Sequence, residues 1–213
     1  MRSMVWSDFQ SLAYFNVQNH PNSPRANFVF GQVLSAESNA LYAAAPESDQ
    51  SKVGIISART HFVRTHELSP RDFAPLVMLH QIDGQFFPEL PERKNWLPRL
   101  LDVAKSRPLQ ASDRASLDAL VDYSLNGPGA DDIEQVDRLL EVLLRRYPSG
   151  SSLVLMRYEL LGNIGEDSER RRVELLTGYL KQFPHSVAVQ LAAAQHRHAS
   201  NMGEAYIQLG EGL

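Results

Sequence analysis

Seven histidines and no cysteine set the terms for any chemistry this 213-residue chain performs. Histidine binds metals and moves protons near neutral pH, so its spacing comes first. His196 and His198 stand two apart, which on a helix turns them about 200° from each other and off any shared metal face. His61 and His66, five apart, fare no better. There is no His-Glu-x-x-His, and without thiols there are no cysteine zinc sites, disulfides or cysteine nucleophiles. His80 and Asp83 share helical spacing, yet no nucleophile stands near them. A Gly-x-Ser-x-Gly elbow is missing. Gly127 and Gly129 lead into Ala130-Asp131-Asp132, which puts acids where a phosphate would sit. Glu166, Asp167 and Glu169 read as acids at a helix start, with Arg170-Arg171-Arg172 pairing with them. The expectation is no catalytic residue, no metal, no cofactor, and histidines that are solvated or cap helices. The chain reads as a non-enzyme.

Charge narrows the partners. Lys and Arg number 21 against 25 Asp and Glu, a net −4, so no nucleic acid is expected, because phosphate binding needs concentrated cations. The longest apolar stretches, such as Leu153-Val154-Leu155-Met156, fall far short of the ~20 residues that span a bilayer. Met1-Arg2-Ser3-Met4-Val5-Trp6 runs straight into Ser7-Asp8 and does not read as a signal peptide. The absence of cysteine suits an oxidising compartment, where no thiol can then mispair.

The elements that must position these residues are helices. Val136, Leu139, Leu140, Leu143, Leu144 and Tyr147 recur at intervals of three and four. Asp137, Arg138, Glu141, Arg145 and Arg146 are assigned to the opposite, polar face. Val173, Leu176, Tyr179, Leu180 and Phe183 repeat the pattern. Asn126-Gly127-Pro128-Gly129 is a turn. Even Phe28-Val29-Phe30 continues at helical spacing through Ala26, Phe30 and Leu34, so the fold class is all-α.

Prolines punctuate the chain at 21, 70, 108, 148 and 184, in steps of 49, 38, 40 and 36. A period near forty in a helical chain points to stacked helix pairs. Twelve, eight and five residues before each proline stand Phe9, Ala13 and Asn16; Ala58, Phe62 and Thr65; Trp96, Leu100 and Val103; Val136, Leu140 and Leu143; Arg172, Leu176 and Tyr179. Phe62, Leu100, Leu140 and Leu176 are therefore expected to be buried. Phe30-Gly31-Gln32-Val33-Leu34 adds a glycine that would let a paired helix approach closely, and Ala193-Ala194 could serve the same way. The residues around Ala43-Ala44-Ala45-Pro46 through Ser51 lengthen one connection, and read as an extended helix plus a loop.

This pattern resembles the tetratricopeptide (TPR) repeat over nearly the whole chain, residues 1–213. The resemblance implies a single domain, a right-handed α-solenoid of TPR-like pairs with about eleven helices. It would begin with a second helix at about 7–20 and end in a first helix at about 187–200, with another opening near Glu204. A second resemblance lies in Arg2-Ser3-Met4-Val5-Trp6-Ser7-Asp8 and His20-Pro21-Asn22-Ser23-Pro24-Arg25-Ala26. These are similar to the junction after the last membrane helix in transmembrane TPR proteins related to O-mannosyltransferases and their glycosyltransferase-like relatives. That implies the soluble extracytoplasmic, periplasmic part of a polytopic membrane protein, touching the membrane only through an adjoining segment that is missing here. The alternative is a stand-alone TPR adaptor for envelope or secretion assembly, with a cytoplasmic location also open.

In such repeats the first helices line a concave face that binds protein or peptide. The register points Arg25, Phe28 and Gln32 inward, then Val77 and Gln81, then Val154 and Tyr158, then Leu191, Gln195 and His198. Arg25, Phe28, Gln32, Gln81, Tyr158 and Gln195 are the expected peptide-binding set. Amides among them could pair with a peptide backbone while apolar groups take its side chains.

Overall fold

The computed structural model describes residues 9–46, 48–127 and 132–210, with 200–210 as backbone alone. The junction segment at 2–8, Glu47 of the long connection, Pro128 and Gly129 of the turn, and Asp131 lie outside the described residues. Among the described residues every regular element is a helix. They are α1 (Phe9–Asn19), α2 (Pro24–Ala44), α3 (Asp49–Leu68), α4 (Phe73–Phe86), α5 (Arg93–Ser106), α6 (Asp113–Asn126), α7 (Ile133–Arg146), α8 (Ser151–Leu161), α9 (Ser168–Gln182) and α10 (Val187–Gly210).

The prolines act as the sequence implies. α1, α3, α5, α7 and α9 each end two residues before one of Pro21, Pro70, Pro108, Pro148 and Pro184. A residue preceding proline is pushed out of helical dihedrals, and the ring cannot continue the helix. α2, which follows Pro21, begins with a side-chain cap. Ser23 accepts a hydrogen bond from the Ala26 amide at 3.2 Å, and Pro24 takes the first helical position.

Among the described residues there are ten helices, where the sequence led to about eleven over the whole chain. Nothing new opens near Glu204, because α10 runs unbroken to Gly210. Gly203 is the sole breaker there, and one glycine costs a helix only about 1 kcal/mol. The lengthened connection is also distributed differently from the expectation. Both α2 and α3 grow, to 21 and 20 residues, and only residues 45–48 remain between them.

The described residues divide into two compact units, one reaching Tyr123 and including Gly127, the other holding 124–126 and 132–210. In the first, each helix from α1 to α5 packs on its neighbour in sequence. The α2–α3 interface is lined by small residues, including Gly31, Ser35 and Ser38 from α2 and Ser51 and Ala58 from α3. A Cβ on Gly31 would meet the Phe62 ring, and one on Gly54 would overlap the Ser38 hydroxyl. Close approach of the two helices is why glycine stands there. α6 reaches α4 through Gln81, whose Nε2 donates to the Ala119 carbonyl at 2.9 Å, and through the edge-on rings of His80 and Tyr123.

In the second unit α8 packs against α7, α9 and α10, and α9 against α10. Val154, Leu176, Tyr179 and Val189 form its buried cluster, with Leu144, Leu180 and Phe183 packed around it. Phe62, Leu100, Leu140 and Leu176 are all buried, as are Thr65, Val103, Leu143 and Tyr179 three residues on. The proline-based register therefore finds the core positions.

Candidate functional site

Two buried carboxylates hold the helices that carry any site. Asp83 on α4 is wholly enclosed. It accepts from Arg59 Nε at 2.6 Å and Nη2 at 3.0 Å, on α3, and from Trp96 Nε1 at 2.8 Å, on α5. Three helices converge on one side chain. Asp137 on α7 does the same in the second unit, accepting from Arg157 Nε of α8 at 2.7 Å and from Arg171 of α9 at 2.9 Å. Near the α5–α6 connection, Arg107 grips Asp113 through bonds of 2.7 and 2.8 Å and donates its Nε to the Arg71 carbonyl at 2.6 Å. These pairs are charge-assisted and largely bidentate, the geometry that compensates burial best.

Asp137 thus corrects the expectation that it lies on a polar outer face. Its spacing from Ile133, Leu140 and Leu144 is four, three and seven, which is itself a helix face and carried the signal. The basic run 170–172 is split. Arg170 pairs with Asp167 at 2.7 Å and Arg172 with Glu169 at 3.3 Å, as expected, whereas Arg171 turns to Asp137.

The histidines divide as well. His20, His185 and His198 are exposed. His61, His66, His80 and His196 instead meet the rings of Phe30, Trp96, Tyr123 and Tyr158 edge-on, with centroids 4.9 to 6.0 Å apart. These four are packing residues rather than solvated or capping ones. Phe73, Leu76, His80 and Asp83 recur at intervals of three and four, so His80 was visible as part of an apolar face. Among the described residues no three histidine or carboxylate side chains gather as a metal would require.

A concavity of about 520 Å3 lies in the second unit between α8, α9 and α10. Its polar wall is a closed ring of four side chains. The Tyr158 hydroxyl and His196 Nδ1 share a 3.0 Å hydrogen bond. His196 Nε2 faces Glu169 Oε1 at 3.6 Å, Glu169 accepts from Arg172 at 3.3 Å, and the Arg172 guanidinium lies 4.0 Å above the Tyr158 ring. Burial holds the Tyr158 phenol above its usual range, against the pull of the Arg172 charge and with the Glu169 charge adding to it. Leu155, Ala188, Leu191 and Ala192 supply the apolar wall, and Gln195 stands at its side.

The structure places the expected peptide-binding residues as follows. Tyr158 and Gln195, with Leu191, come together in this cavity. Arg25 is exposed and lines a smaller hollow of about 300 Å3 between α1 and α2. Gln32 is exposed, and Phe28 is half-buried with its ring 5.6 Å from that of Phe62. Gln81 uses its amide N–H on Ala119. Val77 and Val154 are buried packing residues. His196, Arg172 and Glu169 were not among the expected site residues. Val189, Ala193 and His196 do recur at four and three, which is the signal that placed His196 inward.

No protein-family model matches the chain, and neither curated proteins nor solved structures give a significant match.

Proposed function

We propose that the chain is a non-catalytic, TPR-like helical-repeat module, a right-handed α-solenoid in design, that binds an extended protein segment through its first helices. The observation that carries this reading is the cavity between α8 and α10. It gathers Tyr158, Leu191 and Gln195, a phenol, an exposed aliphatic chain and an amide, on neighbouring first helices. Such a lining pairs with peptide backbone through Gln195 and Tyr158 while Leu191 and Leu155 take an apolar side chain. The regular placement of helix ends at prolines and of buried residues eight and five before them supports the repeat design.

The test is selection of peptides from a displayed random library on the purified protein. The winners are then titrated against Tyr158→Ala/Gln195→Ala. Loss of about tenfold or more in affinity is expected, since a lost hydrogen-bond partner in a buried site costs ~1–3 kcal/mol. Equal binding by the double variant would move the site elsewhere on the protein.

A further inference from the structure

The prolines at 148 and 184 fix a 36-residue register between α7 and α9. In that register Asp137 corresponds to Val173, Leu140 to Leu176, Leu144 to Leu180 and Arg145 to Lys181. On α7 the first of these positions is occupied by a neighbouring helix: Asp137 binds Arg171 of α9, and Leu144 packs into the cluster containing Leu176 and Tyr179. α9 is seated on α7 and α8. On α9 the corresponding positions open onto a groove of about 380 Å3 shared with α10, lined by Val173, Leu176, Leu180 and Ala193. Val173 remains 45% exposed. Lys181 and Arg197 stand at its edges, and no carboxylate is among its lining residues.

We propose that this groove seats an amphipathic helix of a partner protein, one with an apolar residue where α9 carries Arg171 and with acidic flanks. The shape argues for a helix. Positions 173, 176–177 and 180–181 follow one face of α9 over two turns, about 11 Å, the spacing at which a helix presents its own anchors. The difference in chemistry between the two seats argues for the side chains. Asp137 demands a cation from its occupant, whereas Val173 demands an apolar group. Lys181 and Arg197 then select carboxylates at the rim and steer them in. This surface is independent of the peptide cavity and shares only His196 with it.

The probe follows from the register. A labelled synthetic helix of sequence 168–182 carrying Arg171→Leu, Arg170→Glu and Lys181→Glu is titrated against the intact protein by fluorescence anisotropy. A second peptide carrying Arg171→Leu alone keeps its basic flanks. Saturable binding of the acidic helix is expected, about tenfold tighter than the basic one and weakened by added salt, as exposed charge pairs require. Val173→Glu in the protein should weaken it by about tenfold or more with an unchanged melting temperature, because a half-exposed site tolerates the charge until a helix covers it. Lys181→Glu/Arg197→Glu should reverse the preference between the peptides. No saturable binding, equal affinity for both peptides, or indifference to Val173→Glu would overturn the proposal. So would a dimer in sedimentation equilibrium that Val173→Glu dissolves, since the occupant would then be a second copy.

Discussion

The Phe62 ring stands 2.9 Å from where a Cβ would sit on Gly31. Phe62 is fully enclosed and packed against Phe28, so it has little room to retreat. Gly178 is also helical and nothing lies within 4 Å of its Cβ position. The same substitution should therefore have opposite signs at the two sites. Gly178→Ala gains about 0.5–1 kcal/mol from helix propensity alone. Gly31→Ala has that gain overturned by overpacking of about 1–3 kcal/mol. Denaturant midpoints of the two variants decide it, and a stabilised Gly31→Ala would mean that the Phe62 ring moves freely.

Asp83→Ala removes the acceptor for both Arg59 and Trp96 inside the first unit. Stranding a buried partner of an ion pair costs about 3–5 kcal/mol. Removing the charge as well, in Asp83→Leu/Arg59→Met, should recover part of the loss. A double-mutant cycle measures the coupling, and strictly additive effects would show that the pair contributes nothing of its own.

Leu140 is wholly buried on α7. Truncation to Ala should cost about 2–5 kcal/mol, the range for enclosed leucines. A thermal melt unchanged by Leu140→Ala would mean that the cavity collapses without penalty.

Burial holds the His61 and His66 imidazoles below their usual range, with the Arg99 charge adding to the effect at His66 and Glu67 opposing it. The unfolded chain, titrating near 6.5, then binds protons that the folded chain refuses. Their contribution is full above about pH 6.5 and is lost as pH falls through that value towards the folded ones. Stability should decline on mild acidification, and His61→Gln/His66→Gln should flatten the decline. An unchanged pH slope in that variant would assign the proton uptake to other groups.

Helix class, helix ends and the principal core positions were legible because proline acts locally. At Pro21, Pro70, Pro108, Pro148 and Pro184 the ring follows a helix end by two residues, so α1, α3, α5, α7 and α9 could be bounded from spacing, whereas Pro98 sits inside α5. That Tyr158, Leu191 and Gln195 line one cavity was legible for a related reason, since helix phase relates residues on one face. Asp83, Asp137 and His196 were not, because a charged or polar side chain on an apolar face is read as exposed unless its partner is known. Arg59, Arg157 and Arg171 lie 24, 20 and 34 residues from their carboxylates. Only folding brings them together.

The long α2–α3 hairpin, closed by residues 45–48, bears on how the molecule reaches its structure as well as on what it looks like. Short connections close at little entropic expense, and contacts then grow outward from the turn like a zipper. Each added pair, Ser38 beside Gly54 first and Gly31 beside Phe62 later, extends an interface already in register. The hairpin is thus placed to form early in refolding. Substitutions near its turn should slow folding, with φ-values above about one half, while those at its far end should mainly quicken unfolding.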